Sequence, residues 1–469
     1  MSESDLGQHL AGIVGDAHVL MGESVSDDYG HDEALTVVPV RPQAVVRPKS
    51  ADQVAGVLRM ADELGVPVTP RGSGTGLSGA CTPNEDGIVI SFERMNQVLE
   101  IDTANHVAVV QPGVTLDDLE KAAAAEGLLY PVRPGEMSGS LGGNVATNAG
   151  GMNAVKYGVT RHQVLGLEAV LPSGEVIRTG GRFVKATTGY DLTQLIIGSE
   201  GTLAVVTEVI LKLQPLLEHR ATVLAPFGTL DEVTTAVPAV VSSGVGPMIL
   251  EYIDLVTMSG ITEAVGLDLG IPDDVRQAAL AYLVVVVEST HADRLDGDVQ
   301  LVAELLGERG AIDVYVLPPQ AATQLLEARE KAFWVAKSHG AHDIIDLVVP
   351  RASIPEYMEQ VSAIAADEES LVVGCGHAGD GNVHLSVFQP DPDRRDRLIH
   401  RILEAGTALG GAISGEHGIG TEKRSYFLEL EHPAKVALMQ RIKAAFDPNG
   451  ILNPGTLFDA AGRSPGVAP

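Results

Sequence analysis

Cysteine, aromatic and cationic residues are all scarce in this chain of 469 residues. Its two cysteines, Cys81 and Cys375, stand far apart and in no CxxC pattern. A disulfide-framed fold is thereby excluded, as is an iron–sulfur cluster held by this chain alone. Lys and Arg number 32 against 62 Asp and Glu, a formal charge of -30. Such a field repels phosphate backbones and anionic membranes, so nucleic acid is not an expected partner. The longest apolar run, from Leu283 to Val287, is too short to cross a bilayer. Met1 to Gly15 shows no basic start followed by an apolar run. No signal peptide and no transmembrane segment are expected, and the expected location is cytoplasmic.

Glycine is what the chain has in excess: 52 residues, about 11% where ~7% is usual. Glycine is needed where backbone turns sharply or approaches a ligand closely. From about Leu35 to Gln214 short apolar runs alternate with Gly-rich loops. Ser50 begins a predicted helix, with Ala51, Val54, Val57, Leu58 and Ala61 at helical spacing. Strand signals follow at 66–70, 87–90 and 107–110, and a second helix at about 116–125. From about His219 to Pro390 strands and helices alternate, with strands expected at 247–252, 283–287, 311–316, 346–349, 371–373 and 383–387. Helices fit between them on one side of the sheet. A last helix begins near Ala434, and the Gly-, Pro- and Ala-rich tail after Asp459 is expected to fray.

Three glycine loops carry the first chemical signal. Arg71-Gly72-Ser73-Gly74-Thr75-Gly76-Leu77-Ser78-Gly79 packs four glycines behind a strand. Successive glycines let backbone N–H groups curl around an anion. The loop is neither a Walker loop nor a dinucleotide fingerprint, since no Gly-Lys-Ser/Thr follows and no helix opens on it. The stretch from Pro134 to Gly151 has too few large apolar side chains to form core. The third piece runs from Gly189 to Leu203 and precedes a strand. Three such loops together point to a large phosphate-bearing cofactor rather than to three independent turns.

The second signal is a set of histidines and acids. His377 and His384 are seven apart in Gly376-His377-Ala378-Gly379-Asp380-Gly381-Asn382-Val383-His384. Extended, that span is roughly 23–25 Å, too far for one ion. The Asp380-Gly381 turn signal folds the chain back and brings the imidazoles together. Downstream, Glu416 and His417 stand in a second Gly-flanked loop, Ser414-Gly415-Glu416-His417-Gly418. Two histidines and a carboxylate are a common ligand set for a divalent ion with open positions. The alternative is a group of hydrogen-bonded loop histidines.

In this order and combination, these segments resemble the flavoproteins of the vanillyl-alcohol-oxidase/PCMH superfamily. The resemblance covers about Val38 to Phe458. Its nearest branch holds the glycolate oxidase flavin subunit, the D-lactate dehydrogenases and D-2-hydroxyglutarate dehydrogenase. It implies an α+β protein: a PCMH-type FAD-binding domain of two α/β subdomains at 1–215, and an α+β cap domain with an antiparallel sheet at 216–425. A C-terminal segment, 426–469, would return to the FAD domain. The resemblance further implies that Gly72, Ser73, Gly74, Thr75, Gly76 and Gly79 hold the pyrophosphate. Ser138, Gly139, Gly142, Gly143, Thr147, Asn148 and Gly151 would line the flavin and its ribityl chain. Arg71, Pro134, Glu200, Gly201, Val206 and Asn453 would complete the cofactor contacts. Relatives with covalent FAD often carry His in the first loop, where this chain has Thr75, so non-covalent FAD is expected.

The resemblance also assigns His377, His384 and Glu416 as ligands of a divalent metal, zinc or manganese, and His417 as the catalytic base. Arg329, on a segment similar to the family's Arg-bearing helix, is expected to clamp the substrate carboxylate. Arg351 is a second candidate. Ile344 stands where the D-2-hydroxyglutarate enzymes carry Lys, which argues against that substrate. The expected activity is oxidation of a D-2-hydroxy acid, D-lactate or glycolate foremost, to the 2-oxo acid. Electrons would leave to a quinone, a cytochrome, an electron-transfer flavoprotein or an iron–sulfur subunit, and a homodimer is one assembly the chain allows. The rival readings are a D-2-hydroxyglutarate dehydrogenase, a non-catalytic flavin scaffold subunit and a metal-dependent hydrolase without flavin.

Overall fold

The computed structural model describes residues 3–458; the tail after Asp459 lies outside them. Two larger sheets, and a two-stranded ribbon of Leu128–Leu129 with Gln214–Pro215, are built from residues up to 215. In the first, Ala44–Val46, Ile88–Ser91 and Val68–Arg71 run parallel, with Val19–Met21 antiparallel at one edge. The Ala51–Leu64 helix makes the crossover. Ser50 caps it by accepting from Gln53 N, Gly65 ends it in the left-handed region, and Val54, Val57, Leu58 and Ala61 face the core. The second sheet is antiparallel, in the order Val98–Asp102, Val107–Val110, Val205–Lys212, Val164–Val170, Val176–Gly180. The glycine loops hang from the ends of these two sheets.

The third sheet has seven antiparallel strands: Tyr315–Val316, His219–Phe227, Ala281–Ser289, Ile249–Asp254, Leu371–His377, Asn382–Phe388 and Asp343–Val348, in that spatial order. Two sequence expectations need correction here. Helices cover both faces rather than one. Leu230–Ser242, Ala292–Glu308, Ile354–Asp367 and Pro392–Ala408 pack on one face, while Leu255–Val265 and Pro319–Glu330 pack on the other. All nine residues of Ala281–Ser289 are accordingly buried, as strands covered on both sides must be. The strand expected at 311–316 is reduced to Tyr315–Val316, because the Asp313 side chain accepts from the following backbone N–H and turns the chain there.

After the Pro433–Phe446 helix the chain returns to the first sheet. Val68 N donates to Ile451 O and Asn453 N donates to Val68 O, each at 2.8 Å. Lys443 fastens this return: its Nζ donates to Thr202 O and Leu452 O at 2.8 Å and pairs with the buried Asp447 carboxylate. Lys443→Met removes the cation and strands that carboxylate. A loss of about 3 kcal/mol is expected, read as a lower midpoint in chemical denaturation.

Candidate active site

The first glycine loop leaves the Val68–Arg71 strand and locks onto the second through Ser140. A Cβ on Gly72 would collide with Ser140 Oγ. That oxygen accepts from Ser73 N at 3.3 Å and caps the Leu141–Thr147 helix at Gly143 N. Ser73 Oγ donates to Ser138 O at 2.7 Å. The third loop joins by Glu200, whose N–H donates to Ala146 O. Together the loops wall a cleft lined by Arg71, Gly72, Ser73, Gly74, Thr75, Gly76, Pro134, Gly142, Gly143, Thr147, Glu200, Gly201, Val206 and Asn453.

Five expected wall residues do not line this cleft. Gly79 packs against Val37 and Thr421, and Gly139 against Glu136 O. Ser138 Oγ bonds Glu136, Asn148 Oδ1 accepts from Arg161 N, and Gly151 lies under the Arg133 carbonyl. Sequence reading missed Asn144, whose buried Nδ2 on the cleft wall has no hydrogen-bond partner among the described residues. Cys81 also lines the cleft, and burial pushes its thiol up to about 12, so it stays protonated.

A second cleft opens against the seven-stranded sheet. The Asp380-Gly381 turn closes a hairpin in which Cys375 pairs with His384 and His377 with Asn382. Paired residues of antiparallel strands share a face. Glu251, Cys375, His377, Asn382, His384 and Asp346 therefore stand on one side of four adjacent strands. The imidazoles of His377 and His384 are 4.9 Å apart, and those of His384 and His417 lie stacked at 5.2 Å. Glu416 Oε1 is 3.4 Å from His377 Nε2 and 3.2 Å from His384 Nε2. Three donor atoms thus lie within 4.8 Å of one another.

Two acids that sequence reading missed organise this cage. Glu251, fully buried, bonds His377 Nδ1, which leaves Nε2 turned toward Glu416. A carboxylate behind a ligating histidine is the usual support of a metal site. Asp346, also fully buried, accepts from Ser414 Oγ at 2.8 Å and from the N–H groups of Gly415, Glu416 and His417 at 2.8–3.0 Å. Gly415 is required for that approach, since a Cβ would strike the Asn382 amide. The visible signal was an acid inside each of two apolar strands, which cannot be buried without partners.

Arg329 comes from the Pro319–Glu330 helix and is buried. Its Nη2 lies 2.8 Å from Glu251 Oε2 but out of line, so Nε and Nη2 lack a hydrogen-bond partner among the described residues. Arg351 is exposed on a 3-10 turn, Arg351–Ser353, and lines neither cleft. Burial opposes charge on His377, yet Glu251 and Glu416 outweigh it and hold its pKa well above 6.5. Burial takes His417 the other way, down to about 4, so the ring is neutral at neutral pH. Its Nδ1 has no hydrogen-bond partner among the described residues.

Glu416 and His417 line both clefts. Residues 42–180 match the FAD binding domain family, and residues 216–457 match the C-terminal domain family of FAD linked oxidases. The chain belongs to the FAD-linked oxidases. It is 58% identical to an uncharacterized FAD-linked oxidoreductase of Mycobacterium tuberculosis over 97% of this chain and 99% of that one. It is 37% identical to glycolate oxidase subunit GlcD of Bacillus subtilis, covering 91% of each. A D-lactate dehydrogenase of Anaerostipes hadrus is 36% identical over 94% of each. The fold is that of p-cresol methylhydroxylase, at a TM-score of 0.81 and 17% identity over 98% of both chains. This FAD-linked oxidase is therefore an α+β oxidoreductase with a PCMH-type FAD-binding fold. No described helix is long and apolar enough to cross a membrane. A hydrolase without flavin is set aside by the family.

Proposed function

We propose that this protein oxidises a D-2-hydroxy acid to the 2-oxo acid with non-covalent FAD and a divalent ion, zinc or manganese. D-lactate and glycolate are the small substrates the sequence favours. The observation that carries the reading is that Glu416 and His417 border both clefts, so acid–base chemistry and cofactor chemistry meet at one loop. The residues present fit both groups. The unpaired Asn144 amide and the glycine-rich wall suit a large polar cofactor, and two imidazoles with a carboxylate suit a divalent ion.

Bound FAD would supply the hydride acceptor, and the ion a Lewis acid for the substrate hydroxyl. The chain supplies the rest. Arg329 offers the substrate carboxylate the guanidinium donors that its ion pair with Glu251 leaves unused. Glu251 holds Arg329 and His377 in place from beneath. His417, neutral and partly buried, takes the hydroxyl proton as the C2–H bond gives up its hydrogen with both electrons. Two electrons and one proton leave with that hydride and the second proton rests on the imidazole, so the step balances. The electrons would pass on to a quinone, a cytochrome, an electron-transfer flavoprotein or an iron–sulfur subunit.

Anaerobic mixing of the yellow protein with 2-hydroxy acids, following flavin absorbance, tests this reading. His417→Ala is expected to stay yellow and bleach at least a hundredfold more slowly. His384→Ala is expected to lose bound metal as well, read by elemental analysis. Parental bleaching rates in both variants would overturn these roles. A flavin that no 2-hydroxy acid bleaches would favour the scaffold subunit.

A further inference from the structure

The chemistry assigned above uses only the inner end of the second cleft. Beyond His384 the same sheet face continues through Ser386, with Ile344 and Val373 beside it, and then Phe388; all four line the cleft. Each same-face step along a strand is about 7 Å, so Phe388 stands about 14 Å from His384. Phe333, Trp334 and Val335 of the Ala332–Ser338 helix line the cleft with them. The methyl group of lactate hangs one bond, about 1.5 Å, from the reacting carbon, and glycolate has no side chain. Neither reaches the first apolar step.

Charge narrows the choice further. Arg329 is the sole Lys or Arg on the lining among the described residues, whereas Glu33, Glu136, Glu263 and Glu330 all line the cleft. Lys337, on the same helix as Trp334, is not part of the lining; its Nζ pairs with Glu33 at 2.7 Å and covers the Trp334 ring at 5.1 Å. His339 reaches the lining, with Nδ1 engaged 2.8 Å from Val335 O. A second substrate carboxylate would meet carboxylates here, not a clamp.

We propose that the preferred substrate is a monocarboxylic D-2-hydroxy acid with an apolar side chain of four or more carbons, branched or aromatic. This rests on the 2-hydroxy-acid reading of the same site. Walls of this kind reward each buried methylene and leave an added carboxylate desolvated without a partner.

Steady-state rates with D-2-hydroxy-4-methylpentanoate, D-3-phenyllactate, D-lactate, glycolate and D-2-hydroxyglutarate test it. Both apolar acids are expected to exceed D-lactate in kcat/KM by at least tenfold, and D-2-hydroxyglutarate to fall below D-lactate. Trp334 is the chain's one tryptophan, so its fluorescence reports binding without turnover. In titrations of the holoenzyme, 4-methyl-2-oxopentanoate is expected to bind at least tenfold tighter than pyruvate or 2-oxoglutarate. Ile344→Lys is expected to lower the ratio of kcat/KM for the branched acid over glycolate at least tenfold. Pyruvate binding as tightly as the branched oxo acid overturns the inference. So does D-lactate or D-2-hydroxyglutarate matching both apolar acids in kcat/KM, while the 2-hydroxy-acid reading stands. If no 2-hydroxy acid bleaches the flavin, that reading fails, and the Trp334 titration alone decides what the cleft prefers.

Discussion

Arg329→Met is expected to lower kcat/KM for any 2-hydroxy acid by about three orders of magnitude, the equivalent of about 4 kcal/mol. The guanidinium is buried, and two of its nitrogens have no hydrogen-bond partner among the described residues. A substrate carboxylate would satisfy them in a desolvated setting, where a charge-assisted pair is strong. Met keeps the volume and removes the donors, so flavin absorbance and metal content should persist while turnover falls. Arg329→Lys should recover only about tenfold, because a single ammonium cannot reproduce the planar fork. The competing explanation is that Arg329 merely neutralises Glu251. A double-mutant cycle with Glu251→Gln separates the two. If Glu251→Gln restores turnover in the Arg329→Met background, Arg329 is a support for Glu251 and not a substrate clamp.

How much of this site can be read in the sequence depends on the distance over which partners are recruited. The hairpin joining His377 and His384 is legible because its turn signal, Asp380-Gly381, lies between them. The three glycine loops are legible from composition, but the expectation that the second forms no core fails: Leu141 and Val145 are buried in the core of the second sheet. Which loop residues face the cleft is not legible. A Cβ on Gly79 would strike the Thr421 and Val37 side chains, and one on Gly139 or Gly151 would meet the Glu136 or Arg133 carbonyl. Glu251 and Asp346 escape for another reason. Their partners lie 126 residues away at His377 and 71 away at His417, so only the folded sheet brings them together. The helices on both faces of the third sheet were foreshadowed by Leu283 to Val287, a run without the alternation of a one-sided strand.

Asp346→Asn is expected to weaken metal binding in the cage while leaving the flavin bound. One carboxylate oxygen, Oδ2, gathers Ser414 Oγ and three consecutive N–H groups, so the positions of Glu416 and His417 are set by a single anion. The other, Oδ1, accepts from Asn382 Nδ2 at 2.7 Å and lies 3.7 Å from His384 Nδ1. An amide still offers one oxygen to the loop, and Asn382, whose own Oδ1 is unpaired, can turn to meet the new NH2 group. The shape survives and the charge does not. Metal affinity should therefore fall 10–100-fold, as it does when a supporting carboxylate is lost, and stability by about 2–3 kcal/mol. Burial by itself would raise the pKa of Asp346; His417, Lys423, His384 and the loop N–H groups overcome that and hold it well below 3.8. A depressed folded-state pKa stabilises the protein above the unfolded value of about 3.9 and is lost as pH falls below it. The parent should thus lose stability steeply on acidification below about pH 4, and Asp346→Asn should follow a shallower curve. Denaturation midpoints at pH 7 and pH 3.5 measure this. Equal differences between parent and variant at both values would show that the carboxylate acts through its shape and not through its charge.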